Sequence, residues 1–143
     1  PMRRLMSDRA YRTIHGSTDS EHIWGLVLTA LAAQPGMTLA AALETALAQL
    51  LALAYNYDVP CAANVLLSDG QQLVGARLAS HNRAPSLYWL KDDPQFPHAV
   101  LIASEPLFDA DWQPCEDSSL FTMTADCDVQ FSSLSHLCQS HSG

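Results

Sequence analysis

The feature that most constrains this chain is a change of hydrophobic period at Asp58-Val59-Pro60. Before it, apolar residues recur at helical spacing; after it, they fall into short extended blocks. Ile23, Leu26, Val27, Ala30 and Leu31 stand at i, i+3, i+4, i+7 and i+8, which makes one apolar helical face. That helix is predicted to open at Thr18 and to stop at Gln34-Pro35-Gly36. A second helix is predicted from Thr38 to about Tyr55. It is apolar nearly all round, so it is expected to lie between the first helix and a sheet. Pro1 to Arg12 has poor periodicity and reads as a short helix or a lead-in.

Beyond Pro60 the reading is extended. Ala63–Leu67 and Gln72–Ala79 flank Ser68-Asp69-Gly70, and Asp-Gly between two apolar runs is a strong hairpin signal. Further strands are expected at Ser86–Lys91 and at His98–Ala103, the latter apolar enough to be central. Ser119–Thr124 and Val129–Ser132 form a last hairpin around Ala125-Asp126. His81–Pro85 and Asp92–Pro97 read as turns, and Glu105–Asp117 as an irregular surface segment. Two helices followed by about six strands predict an α+β fold, with helices on one face of a mostly antiparallel sheet. A chain of 143 residues is one domain, residues 1–143, with residues 135–143 expected to be a disordered tail.

Charge and cysteine usage narrow the function classes. The net charge is −8, and the seven Lys and Arg residues form no continuous cationic stripe, so no nucleic-acid partner is expected. Only 15% of residues are charged, which suits a chain that buries part of itself against something else. Leu39 to Ala54 is interrupted by Glu44, Thr45 and Gln49, so a buried helix is expected there and no membrane partner. Cys61, Cys115, Cys127 and Cys138 are widely spaced and contain no Cys-x-x-Cys pair. Reduced thiols in a cytoplasmic protein are therefore expected.

Several chemistries lack their motifs. There is no Gly-rich phosphate loop, no His-Glu-x-x-His and no Gly-x-Ser-x-Gly elbow. The six histidines do not pair with cysteines at metal-ligand spacing, and the cluster His136, Cys138, His141 sits in the expected tail; no metal and no cofactor is expected. A terminal proline amine can serve as a base in tautomerases, but Pro1 does not open an alternating apolar strand. Ser104 and Glu105, at a strand end, read as a structural turn into Pro106.

The stretch that carries a candidate site is Gly16-Ser17-Thr18-Asp19-Ser20-Glu21. Thr18 and Glu21 stand three apart as a capping box. Asp19 falls in the first turn, where the positive end of the helix dipole favours negative charge. A fixed carboxylate beside a glycine turn is suited to holding an ammonium group. As a helix-end residue alone it is worth only ~0.3–1 kcal/mol.

Gly16–Glu21 with its apolar helix, Ala63–Arg77 with Asp69-Gly70, Ser86–Trp89, Val100–Leu107 and Asp111-Trp112 occur in the order and spacing of one family. Over Met2 to Phe131 the chain resembles the class II glutamine amidotransferases, and most resembles their short stand-alone members of the ergothioneine-pathway γ-glutamyl amidohydrolase type. The resemblance implies part of an N-terminal nucleophile hydrolase αββα sandwich, of which this chain is the C-terminal half. In that family a cysteine thiolate attacks a γ-glutamyl amide, the amine leaves, and water releases glutamate from the thioester. The chain opens on Pro1 instead of the family's cysteine. It also lacks the substrate-gripping Arg motif, and neither Asn64 nor Asn82 is followed by the glycine of the oxyanion-hole Asn-Gly. No catalytic residue is therefore assigned; of the family's positions only the α-amino-binding Asp carries over, onto Asp19.

The partners implied are glutamine or a γ-glutamyl amide and the missing N-terminal half. The apolar surface that such a half would leave exposed is expected to make the isolated chain associate, so a homo-oligomer stays open. The alternative is a non-catalytic partner or regulatory subunit that keeps the fold and the pocket. On either reading, the isolated chain is expected to be inactive.

Overall fold

The computed structural model describes residues 1–81 and 83–139. Asn82, His141 and the end of the expected tail, 140–143, lie outside the described residues. A 3-10 turn at Met2–Leu5 and a one-turn helix α1 (Asp8–Tyr11) lead into α2 (Asp19–Ala33) and α3 (Leu39–Asn56). Both long helices start where their caps predict. The Thr18 hydroxyl accepts from Glu21 N–H, and the Thr38 hydroxyl accepts from Ala41 N–H. Gly36, at φ +85°, makes the turn between them.

The strands are β1 (Ala62–Ser68), β2 (Gln72–Ala79), β3 (Tyr88–Asp93), β4 (Phe96–Ala103), β5 (Gln113–Pro114), β6 (Ser119–Thr124) and β7 (Val129–Ser133). They form two antiparallel sheets, ordered β1-β2-β6-β7 and β4-β3-β5. The alternation of β2 and β6 builds the layers. Val74, Ala76, Leu78 and Leu120 turn to the helices and join Leu26, Leu43, Leu47 and Leu51 in one core. Phe121, Met123 and Leu73 turn the other way, onto Trp89, Val100 and Ile102 of the three-stranded sheet and Leu87 just before it. Phe131 binds this second core together, its ring 5.5 Å from both Trp89 and Phe121. The described residues thus make three layers, helices–sheet–sheet.

Gly75 shows how tightly the middle layer is packed. A Cβ there would stand 2.3 Å from Phe121 Cζ and 2.7 Å from Leu66 Cδ2, so the strand needs a residue without one.

The lead-in, read as a possible short helix, carries α1, and among the described residues one further short helix, α4 (Ser135–Gln139), is too brief to show a period. Seven strands form among the described residues, in keeping with the about six expected, the extra one being the two-residue β5 inside the segment expected to be irregular. Two expectations are corrected. The expected disordered tail is helical over Ser135–Gln139; Leu134 is buried in the helix-side core, and Leu137 packs against it. His136 reaches across to Glu44 at 2.9 Å. β4, expected to be central, is an edge strand, and its Pro97, which cannot donate to a ladder, fits only there. The second long helix, α3, is long and apolar enough by length and composition to cross a membrane. Here its Leu43, Leu47 and Leu51 are fully buried in the core shared with α2 and the four-stranded sheet.

Candidate functional site

Geometry at the start of α2 divides the labour between its two carboxylates. Glu21 takes the capping role. Its carboxylate accepts from Gly16 N–H at 2.9 Å, from the Thr18 hydroxyl at 2.9 Å and from Thr18 N–H at 3.4 Å. The Thr18 hydroxyl above all, then the N–H groups of Thr18, Gly16 and His15, hold the Glu21 carboxyl below its ordinary range against the cost of desolvation. A Cβ at Gly16 would lie 2.3 Å from Glu21 Oε2, so any larger residue there would make the carboxylate shift off its donors.

Asp19 is left over. Among the described residues its carboxylate makes no hydrogen bond or ion pair, and it opens into a groove of about 930 Å³. The groove runs between the start of α2, the end of α3 and strand β1, with Ser20, Ile23, Trp24, Tyr57, Cys61 and Asn64 among its walls. Its lining is mostly aliphatic and aromatic, and Asp19 is its one Asp or Glu. A single carboxylate at the rim of a mostly apolar groove can orient a cationic group while the walls take its hydrocarbon.

The other polar groups near the groove are held or neutral. Burial first, and the Asp19 carboxylate second, push the Cys61 thiol above its ordinary value, so it is not poised as a thiolate. Cys115, on the far side of the sheet, is pushed up to about 11 by burial, with Arg77 pulling the other way. All four cysteines are unpaired thiols. Asn64 donates Nδ2–H to the Ser86 carbonyl at 2.8 Å, while its Oδ1 is buried without a partner. Ser104 serves structure, its carbonyl accepting from the Ser86 hydroxyl at 2.8 Å. No group of three His, Cys, Asp or Glu among the described residues is placed to hold a metal ion.

Two residues that organise the surroundings were not singled out from the sequence. Arg77, buried in β2, donates to the carbonyls of Pro85 (2.6 Å), Ala84 (3.1 Å) and Cys115, and pairs with Asp117 at 2.8 Å. It ties the loop after β2 to the segment before β6. Asn64 then ties β1 to the same loop through Ser86. The available signal was a lone polar residue inside each of two apolar strands, Ala62-Ala63-Asn64-Val65 and Gly75-Ala76-Arg77-Leu78.

Residues 4–142 match the family described as glutamine amidotransferases class-II. The chain belongs to that family. Among solved structures this amidotransferase domain is similar to a glutamine aminotransferase class-II domain protein from Silicibacter pomeroyi, with 27% identity and a TM-score of 0.73. The likeness covers 92% of this chain and 58% of that one, so the class-II chain described here spans little more than half the length of its solved relative. No curated protein matches.

Proposed function

We propose that this class-II amidotransferase chain supplies the glutamyl-tail pocket of a cysteine-dependent glutaminase or γ-glutamyl amide hydrolase, with Asp19 holding the substrate α-ammonium. The observation that supports this reading most is the division between the two carboxylates: Glu21 caps the helix, and Asp19 faces the groove unpaired. A carboxylate and an ammonium make a charge-assisted bond, roughly twice as strong as a neutral one. Its loss is expected to cost ~1.5–3 kcal/mol of binding.

Fixing the tail matters for the chemistry because orientation supplies a large share of barrier lowering. The thiolate that attacks the γ-carbonyl would come from polypeptide outside this chain. Its sulfur forms the thioester, the amine departs with a proton, and water then releases glutamate. Within the family we place the chain with the short γ-glutamyl amidohydrolases of the ergothioneine-pathway type. Unpaired thiols suit a reducing, cytoplasmic setting.

The test is kinetic, on the chain assembled with the nucleophile-bearing part. Asp19→Asn should raise KM for L-glutamine or a γ-glutamyl amide at least ~10-fold while moving Tm little. An unchanged KM removes the tail-binding role. Glutamine binding with no turnover in the assembled protein would favour the non-catalytic partner instead.

A further inference from the structure

We infer that a second, polar cavity, between the loop after β2 and strands β3 and β5, binds a small oxyanion, a carboxylate or a phosphate. It holds about 290 Å³, with Arg77, Arg83, Ser86, Tyr88 and Pro114 among its walls. It shares no lining residue with the Asp19 groove, so the inference neither rests on the tail-pocket reading nor falls with it. The chain has only seven Lys and Arg residues against a net charge of −8. Two of the seven meet here, and no Asp or Glu lines the cavity.

Arg77 brings a donor that the fold leaves over. It is 6% exposed, and a guanidinium carries five N–H groups. Nε–H goes to the Pro85 carbonyl, one Nη1 N–H to Cys115 and one Nη2 N–H to Ala84. Asp117, 2.8 Å from Nη1, accounts for the other donor on that nitrogen. The second Nη2 N–H has no acceptor among the described residues. A buried charged donor left without an acceptor is costly, and an oxyanion in the cavity supplies one.

The neighbouring groups match the same ligand. Arg83 is exposed and makes no ion pair among the described residues, so its charge stands uncompensated while Asp117 offsets that of Arg77. The half-buried Tyr88 hydroxyl makes no hydrogen bond among the described residues and can donate. The Ala84 and Pro85 carbonyls, which would repel an anion, are held on Arg77. The Ser86 hydroxyl is spent on the Ser104 carbonyl. What remains is one N–H of Arg77, the fork of Arg83 and the Tyr88 hydroxyl, a donor set suited to the oxygens of a carboxylate or phosphate.

The probes are inorganic phosphate and succinate, titrated onto the chain at constant ionic strength with sodium chloride as the control. At least one should bind saturably, shift the amide resonances of residues 83–88 and 114–117, and raise Tm with concentration. Tighter phosphate binding would name a phosphate as the ligand class, and tighter succinate binding a carboxylate. Arg77 also holds the loop, so the variants leave it in place. Arg83→Gln should weaken binding at least ~10-fold. Asp117→Asn, which removes the competing carboxylate, should tighten it. Arg12→Gln, at an exposed arginine of the helical layer, should change nothing. The inference is overturned if neither anion shifts those residues beyond the chloride control, if Arg83→Gln binds as the wild type does, or if Asp117→Asn weakens binding.

Discussion

Gly16 donates its backbone N–H to the Glu21 carboxylate at 2.9 Å, across a gap that a single added methyl group would close. The contact keeps Glu21 on the cap and so leaves Asp19 uncommitted. Gly16→Ala should push the carboxylate off its donors and lower stability about as much as Thr18→Ala, which by the usual worth of a cap is ~1 kcal/mol, or about 3 °C in Tm. Thermal melts of the two variants check this. An unchanged Tm in Gly16→Ala would show that the carboxylate has another resting place.

Gly75 and Phe121 are cross-strand partners in β2 and β6, and the Phe121 ring lies over the glycine on the face turned to the three-stranded sheet. Gly75→Ala should cost ~1–3 kcal/mol through overpacking. Adding Phe121→Leu, which frees the space, should return part of that loss, so the pair is non-additive. Urea midpoints of the single and double variants measure the coupling, and strict additivity would contradict the packing.

Arg77 holds three carbonyls and Asp117 from inside the sheet. Arg77→Met should destabilise by at least ~2 kcal/mol, because buried carbonyls lose their donors. Arg77→Lys should rescue little of it, since one ammonium cannot reproduce the planar fork. Full recovery with Lys, read from the same urea midpoints, would contradict the account.

The β1–β2 turn carries a pH dependence whose sign follows from Asp69. Donation from the Gln72 side chain, then from Gln71 and Gln72 N–H, holds the Asp69 carboxyl down to about 2, against 3.8 for the free group. A lowered folded-state value gives stability that is complete above the free-group value and is lost as pH falls through the folded one. The stability difference between the wild-type chain and Asp69→Ala should therefore be constant above about pH 4 and shrink toward pH 2. A difference independent of pH over that range would sink the assignment.

Much of this was legible in the sequence because each signal was local. The capping box, the Asp69-Gly70 turn and the change of period at Asp58-Val59-Pro60 fix both long helices and the first hairpin within two residues. What was not legible depends on partners distant in the chain. β2 reads as one apolar run because both of its faces are covered, so the division into two sheets is hidden. α4 is masked by Ser and His, although Leu134 and Leu137 anchor it. Asn64 and Arg77 carry no local signal of their role, because the loop with Ala84, Pro85 and Ser86 that hangs from them lies up to 22 residues away in the chain.

The central claim is that Asp19 recognises an α-ammonium, and the most direct measurement removes that group from the ligand. In the assembled protein, kcat/KM is compared for L-glutamine and its des-amino analogue, 4-carbamoylbutanoate, with wild-type Asp19 and with Asp19→Asn. The wild-type protein should favour L-glutamine by about 10- to 150-fold, and Asp19→Asn should abolish most of that preference by slowing the glutamine reaction alone. An equal preference in both proteins would contradict the claim and return Asp19 to the role of a helix-end charge.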